Sequence, residues 1–155
     1  MIPLHHLKSA AYGLIGGAVL AASPVAASTW QTACDDALCV FRHEVAAPGG
    51  AGTSALFEIL VNADDAVATL VLTTPLGVAL EPGVRLQVDG DTWTAPIKVC
   101  HADGCRATAA IDEAGFARLL QQNAIMIEYH VFGAAEPVGL ELPIRGLVKA
   151  ITSQR

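Results

Sequence analysis

The sequence predicts an all-β domain, an immunoglobulin-like β-sandwich of seven or eight short strands with one short inserted helix. Three observations carry that prediction. Short apolar–polar alternations recur along the chain, as in Val84-Arg85-Leu86-Gln87-Val88. Turn-forming groups such as Asn62-Ala63-Asp64-Asp65 and Asp89-Gly90-Asp91 separate them. Four cysteines fall as two close pairs, Cys34 with Cys39 and Cys100 with Cys105. A period of two marks half-buried strands, and many short strands with regular turn signals mark a sandwich.

The first element is a leader. Lys8 is the only formally charged residue before Asp35; an apolar run from Ala10 to Ala22 follows it, and Val25-Ala26-Ala27 ends the stretch in small residues. A basic start, a short apolar core and a small-residue cleavage site are the three parts of a secretory signal. The core falls short of the roughly 20 apolar residues that span a bilayer. Residues 1–27 are therefore expected to be a signal peptide cut after Ala27, with Ser28 the second choice and an uncleaved anchor the alternative. No cysteine stands at the cut, which excludes lipid attachment there. The remainder, 28–155, is expected to be a single domain.

Within it, Ala37 to Val45 reads as the first strand. The Pro- and Gly-rich run 46–52 cannot hold regular structure and reads as a loop. Ser54 to Val61 and Ala66 to Thr73 are apolar on both faces, as for strands covered on each side, and Asn62-Ala63-Asp64-Asp65 turns one into the other. Val84 to Val88 alternates with Val84, Leu86 and Val88 inward. Thr92 to Cys100 reads as one strand with Trp93, Ala95, Ile97 and Val99 on a common face. Pro96 within it donates no ladder hydrogen bond, which makes the strand an edge or bulged. Cys105 to Ile111 returns with Ala107, Ala109 and Ile111 inward. A helix runs from Glu113 to about Gln122, with Asp112 as N-cap, Phe116, Leu119 and Leu120 as the buried stripe and Asn123 at the exit. Two alternating strands follow, through Ile125, Ile127, Tyr129 and Val131, then Val138, Leu140, Leu142 and Ile144. Gly146 to Ile151 reads as a short terminal turn of helix.

Composition bounds the partners. Without Lys8, eight basic residues face fifteen acidic ones, a net charge of about −7 for the exported part. Such a surface repels phosphate backbones and anionic lipid, so neither nucleic acid nor stable membrane insertion after cleavage is expected. An aromatic content of 5% is too low for the girdles of an outer-membrane barrel.

In an exported chain an even cysteine count reads as disulfides, although four cysteines allow three connectivities. Local pairing, Cys34 with Cys39 and Cys100 with Cys105, is expected, because the Asp103-Gly104 step suits a hairpin that sets its flanking cysteines opposite one another. Zinc held by these cysteines with His101 is the rival, but the four-residue spacing sits at the edge of zinc-site patterns. Neither pair has the Cys-x-x-Cys spacing of a redox-active site.

No catalytic pattern emerges. His43, His101 and His130 are spread along the chain, and Asp35-Asp36 and Asp64-Asp65 fall in turns, where Asp serves its own backbone. No nucleophile elbow, phosphate-binding loop or metalloprotease helix is present. No cofactor, metal or catalytic residue is expected. Trp30 and Trp93 are either core residues or, for one of them, an exposed anchor in a protein interface. The surface expected to carry contacts is Trp30, Trp93 and the hairpin His101-Ala102-Asp103-Gly104 beside Pro96.

The run from Pro75-Leu76-Gly77 through Gly83-Val84 and Asp89-Gly90 resembles the invasion-associated locus B family. So do Pro96, the Cys100 to Gly104-Cys105 spacing, the helix, the closing Gly146-Leu147-Val148-Lys149-Ala150, and the early Trp30 with Cys34. The likeness covers essentially all of 28–155. It departs from the family in the Gly-rich 48–52 loop. The resemblance implies an exported bacterial protein with an immunoglobulin-like sandwich, structural cysteines and no known catalytic residues, from a family named for members linked to host-cell invasion. The expected function is thus a periplasmic or surface binding module, monomeric or weakly dimeric, with protein partners. The alternatives are an envelope-maintenance protein without a dedicated ligand, or a metal-binding protein using His101.

Overall fold

Two antiparallel sheets face each other, and two short helices close one end of the space between them. The computed structural model describes residues 30–46, 54–62 and 67–154. The expected leader at 1–27, the expected loop at 48–52 and the expected turn at Asp64-Asp65 fall outside the described residues. In chain order the elements are β1 (Gln31–Cys34), β2 (Leu38–Ala46), β3 (Ser54–Asn62), β4 (Val67–Thr74), β5 (Val84–Val88), β6 (Asp91–Ala95), β7 (Ile97–His101), β8 (Gly104–Asp112), α1 (Glu113–Leu120), β9 (Ala124–Tyr129), β10 (Val138–Pro143) and α2 (Ile144–Thr152). The larger sheet runs β1-β2-β3-β4-β8-β7 and the smaller β10-β9-β5-β6.

The core is built by the period-two rule on both inner faces. Phe41, Phe57, Ile59, Leu70, Leu72 and Ala107 come from the larger sheet. Val84, Leu86, Val88, Ile125, Ile127, Tyr129, Leu140 and Leu142 come from the smaller one. Leu119 from α1, with Ile144 and Leu147 from α2, completes it at the helix end.

Several boundaries differ from expectation for identifiable reasons. Thr92 to Cys100 is not one strand. Pro96 separates β6, which pairs with β5 in the smaller sheet, from β7, which pairs with β8 in the larger one. Trp93, Ala95, Ile97 and Val99 therefore share no face: Ala95 is buried while Val99 is exposed. The edge character expected of Pro96 is present twice, since β6 and β7 each end a sheet, and the β7 register slips between Ile97 and Val99. β3 and β4 alternate buried with half-buried side chains instead of being covered on both faces. Outer residues such as Leu60 and Thr69, opposite each other across the two strands, shade one another without a second layer. β1 was not foreseen, and Ile144 opens α2 instead of ending a strand. Val131 lies past β9 and forms a lone bridge to Val78. The strands number ten and the helices two among the described residues. Asp112 caps α1 as expected: its Oδ1 accepts from the Gly115 amide at 2.7 Å.

Both disulfides are formed with the local pairing, Cys34–Cys39 and Cys100–Cys105. Each joins directly opposed residues of a hairpin, one at the β1 edge and one at the β7 edge of the larger sheet. Cys39 stands opposite Val61 and Val61 opposite Ala68, whereas Cys105 stands opposite Thr74 at the other end of β4. The two clamps thus sit at diagonally opposed corners of the sheet.

Candidate interaction surface

The end of the sandwich away from the helices is organised around the β7–β8 hairpin. His101 faces Gly104 across it, which leaves Ala102-Asp103 as a two-residue turn. Gly104 has a φ of +143°, and a Cβ there would lie 2.3 Å from the carbonyl oxygen of Thr74, so only glycine fits. The Thr74 hydroxyl donates to the Cys105 carbonyl at 3.2 Å, binding the hairpin to β4. The Arg106 guanidinium donates to the Asp103 carboxylate at 3.1 Å across the turn. His101, Ala102 and Asp103 are exposed on this stiffened tip, while Gly104 is buried beneath it.

The chain that leaves β4 at Thr74 brings two further side chains to the same end. Phe132 N donates to Gly77 O and Ala79 N to His130 O, each at 2.8 Å, around the Val78–Val131 bridge. Val78 is buried by this crossing, but its neighbours point out: Leu76 is 57% and Phe132 81% exposed. An exposed phenylalanine beside an exposed leucine on a hydrogen-bonded frame is the kind of anchor that protein interfaces use. Sequence reasoning missed both. The available signal was Phe132-Gly133, an aromatic residue next to a glycine just beyond the last inward position of β9; Gly133 has a φ of +80°.

The other expected surface residues lie elsewhere. Trp30 is a core residue, 9% exposed, with its Nε1 donating to Pro143 O at 2.8 Å and its ring edge-on to Phe57. As an exposed anchor it is therefore corrected: its ring has a hydrogen-bonded place between the two sheets. Trp93 is half-buried beside α1, with the Arg118 guanidinium 5.6 Å from its ring centroid and Arg118 paired to Asp91 at 2.7 Å. The structure places His101, Ala102, Asp103 and Gly104 at the same end of the sandwich as Leu76 and Phe132, with Trp30 in the core and Trp93 beside α1.

The three histidines among the described residues lie in separate parts of the fold. His43 points inward from β2, its ring centroid 5.0 Å from that of Trp30, and burial holds its pKa below the ordinary histidine value. His101 is on the hairpin tip, and His130 is in the crossing after β9. Burial likewise raises the Tyr129 hydroxyl. Among the described residues no group of three or more His, Cys, Asp or Glu side chains is placed to hold a metal ion. With all four sulfurs in disulfides, the cysteines offer no thiolate to a zinc ion. No helix among the described residues is long and apolar enough to cross a membrane. Two structural disulfides are the mark of an extracytoplasmic, oxidising compartment.

Comparison with known proteins agrees with this architecture. No curated protein sequence matches the chain. Among solved structures, the crystal structure of invasion associated protein B from Bartonella henselae is similar with a TM-score of 0.66 and 22% sequence identity, over 81% of this chain and 91% of that one. At that identity the likeness speaks for the fold. The model of the invasion associated locus B family matches residues 28–154, nearly the whole of the chain beyond the leader-like segment. The chain therefore belongs to the invasion associated locus B family.

Proposed function

We propose that the protein is a non-catalytic binding module of the bacterial envelope, exported by a signal peptide at 1–27 and acting through protein contacts in the periplasm or at the cell surface. The observation that carries this reading is the exposure of Phe132 and Leu76 at the same end of the sandwich as the His101–Gly104 hairpin. Among the described residues every other large aromatic side chain is buried or half-buried, so an exposed phenylalanine is the natural place for a partner to cover. The disulfide at the hairpin and the backbone bonds beneath Phe132 hold this surface in place before any partner arrives, which lowers the ordering cost of binding. Family membership supports the link to invasion-associated proteins, and the paired cysteines support export.

The test is quantitative capture of envelope proteins by the tagged protein and by its Phe132→Ala and Leu76→Ala variants, with an Ala102→Lys variant of the hairpin. A partner retained by the parent and reduced by tenfold or more in the tip variants is the expected result. Equal capture by parent and variants would remove the tip from the proposal. Failure of the parent to retain any partner would favour an envelope-maintenance role without a dedicated ligand.

A further inference from the structure

A second concave surface lies at the opposite, helix-bearing end. Its floor is apolar, formed by Phe41 and Val61 of the larger sheet, Phe116 and Leu120 of α1, and Ile151 of α2, around a cavity of about 580 Å³. That volume lies within the roughly 300–1,000 Å³ of ordinary ligand sites. Among the described residues the rim is of one sign: Asp35, Asp36 and Glu113 line it, all exposed, and no described basic side chain does. The nearest cation of α1, Arg118, is engaged with Asp91 and the Trp93 ring.

The β1–β2 turn at the groove mouth is held by a disulfide and by local hydrogen bonds. Cys34–Cys39 closes that hairpin at its base. Asp35 Oδ1 accepts from the amides of Ala37 and Leu38 at 3.0 and 2.8 Å, and Asp35 N donates to Leu38 O at 2.9 Å. The same two amides hold the Asp35 carboxyl below its ordinary pKa, so it remains an anion at the groove mouth. On the far side, Asp112 fixes the start of α1 and with it the position of Glu113.

We infer that this groove binds a basic segment of a partner protein, one bulky apolar side chain entering between α1, α2 and the β1–β2 turn while flanking lysine or arginine residues pair with Asp35, Asp36 and Glu113. Charge complementarity selects this occupant. An anionic lipid headgroup would meet three carboxylates. In a second copy the most exposed large apolar residue among the described residues, Phe132, stands between Glu128 and Glu136 in the chain with no lysine or arginine between them. The groove lies away from the Phe132 tip, so the two surfaces stand or fall separately.

The experiment titrates the isotope-labelled protein, recovered after export, with the peptide acetyl-Ser-Lys-Leu-Phe-Lys-Ser-amide and with its twin carrying glutamate for both lysines, followed by amide chemical shifts. Saturable shifts at Phe116, Ala117 and Gln154 with the basic peptide, and none with the acidic twin, are expected. Neutralising the rim with Asp36→Asn and Glu113→Gln together should weaken binding roughly three- to tenfold, the scale of two exposed charge pairs. Ala117→Trp, a substitution at an exposed helix position that fills the groove, should abolish it while the core amides of Tyr129 and Leu140 keep their shifts. Phe132→Ala should bind the peptide as the parent does, which separates failure of this proposal from failure of the tip. Equal binding of the acidic twin, absence of shifts around the groove, or shifts there that follow protein concentration alone would overturn the inference.

Discussion

Trp30 donates its indole N–H to the carbonyl of Pro143 at 2.8 Å, a bond between residues 113 apart in the chain. Trp30 leads into β1 at the edge of the larger sheet, and Pro143 ends β10 at the edge of the smaller one. One side chain thus ties the two sheets where the chain enters the domain and where its last helix begins. Removing the donor in Trp30→Phe should cost about 1–3 kcal/mol, the penalty of stranding a part-buried acceptor. Trp30→Ala should cost about 3–5 kcal/mol by adding a cavity. Gly146 makes the same point from the other side, because a Cβ there would lie 2.7 Å from Trp30 Cδ1. Gly146→Ala should therefore destabilise α2 docking even though alanine favours a helix interior by about 1 kcal/mol. Urea unfolding of Trp30→Ala, Gly146→Ala and the double variant checks the coupling. Strictly additive losses would show that the ring and the glycine do not depend on each other.

The hairpin tip offers a steric comparison. Gly104 and Gly133 both have positive φ, but a Cβ at Gly133 meets nothing within 4 Å, whereas at Gly104 it meets the Thr74 carbonyl. Gly133→Ala should cost only the left-handed backbone penalty, about 1–2 kcal/mol. Gly104→Ala should cost clearly more, because the hairpin must lift off β4. Thermal unfolding midpoints in the order parent, Gly133→Ala, Gly104→Ala are expected, and the reverse order would remove the steric account.

Each disulfide closes a short loop at a sheet edge. Replacing either pair by alanine should lower global stability by about 2 kcal/mol in the chain-entropy account. The more telling effect should be local. Amide hydrogen exchange should rise in β1 without Cys34–Cys39 and in β7 without Cys100–Cys105, while β3 and β4 at the sheet centre keep their protection. A uniform rise across the sheet would mean that the clamps hold the whole domain rather than its corners.

His43 predicts the sign of an acid-side pH dependence. Burial lowers its folded pKa below the ordinary 6.5, so the folded state favours the neutral ring while the unfolded chain takes up a proton. The stability that depends on the neutral ring is complete above about pH 6.5 and falls as pH drops through the depressed folded value. Denaturation midpoints measured between pH 8 and pH 5 should show this decline in the parent and a shallower one in His43→Phe. Equal slopes would place the titration elsewhere.

What could be read from residues alone was whatever acts over a few positions. Asp112 as the N-cap of α1, the inward Val84, Leu86 and Val88, and the local cysteine pairing all follow from neighbours in sequence, and the structure has each of them. The order of turns, strands and cysteines was also enough to place the chain in its family. Alternation, however, says only that one side of a strand faces inward. It does not say to which sheet the strand belongs, so the passage through Pro96 from one sheet to the other was invisible, as was β1, a short strand held by its neighbour and a disulfide. The two surfaces likewise exist only in three dimensions. Phe132 and Leu76 come to the same end as the His101–Gly104 hairpin because β4 ends against β8 and the chain then meets the segment that follows β9. Phe41, Phe116 and Ile151 share a groove because two helices pack at one end of a sandwich. Local hydrogen bonding and periodicity are encoded within a few residues, whereas burial depends on which distant segments arrive on the other side, and only the assembled fold decides that.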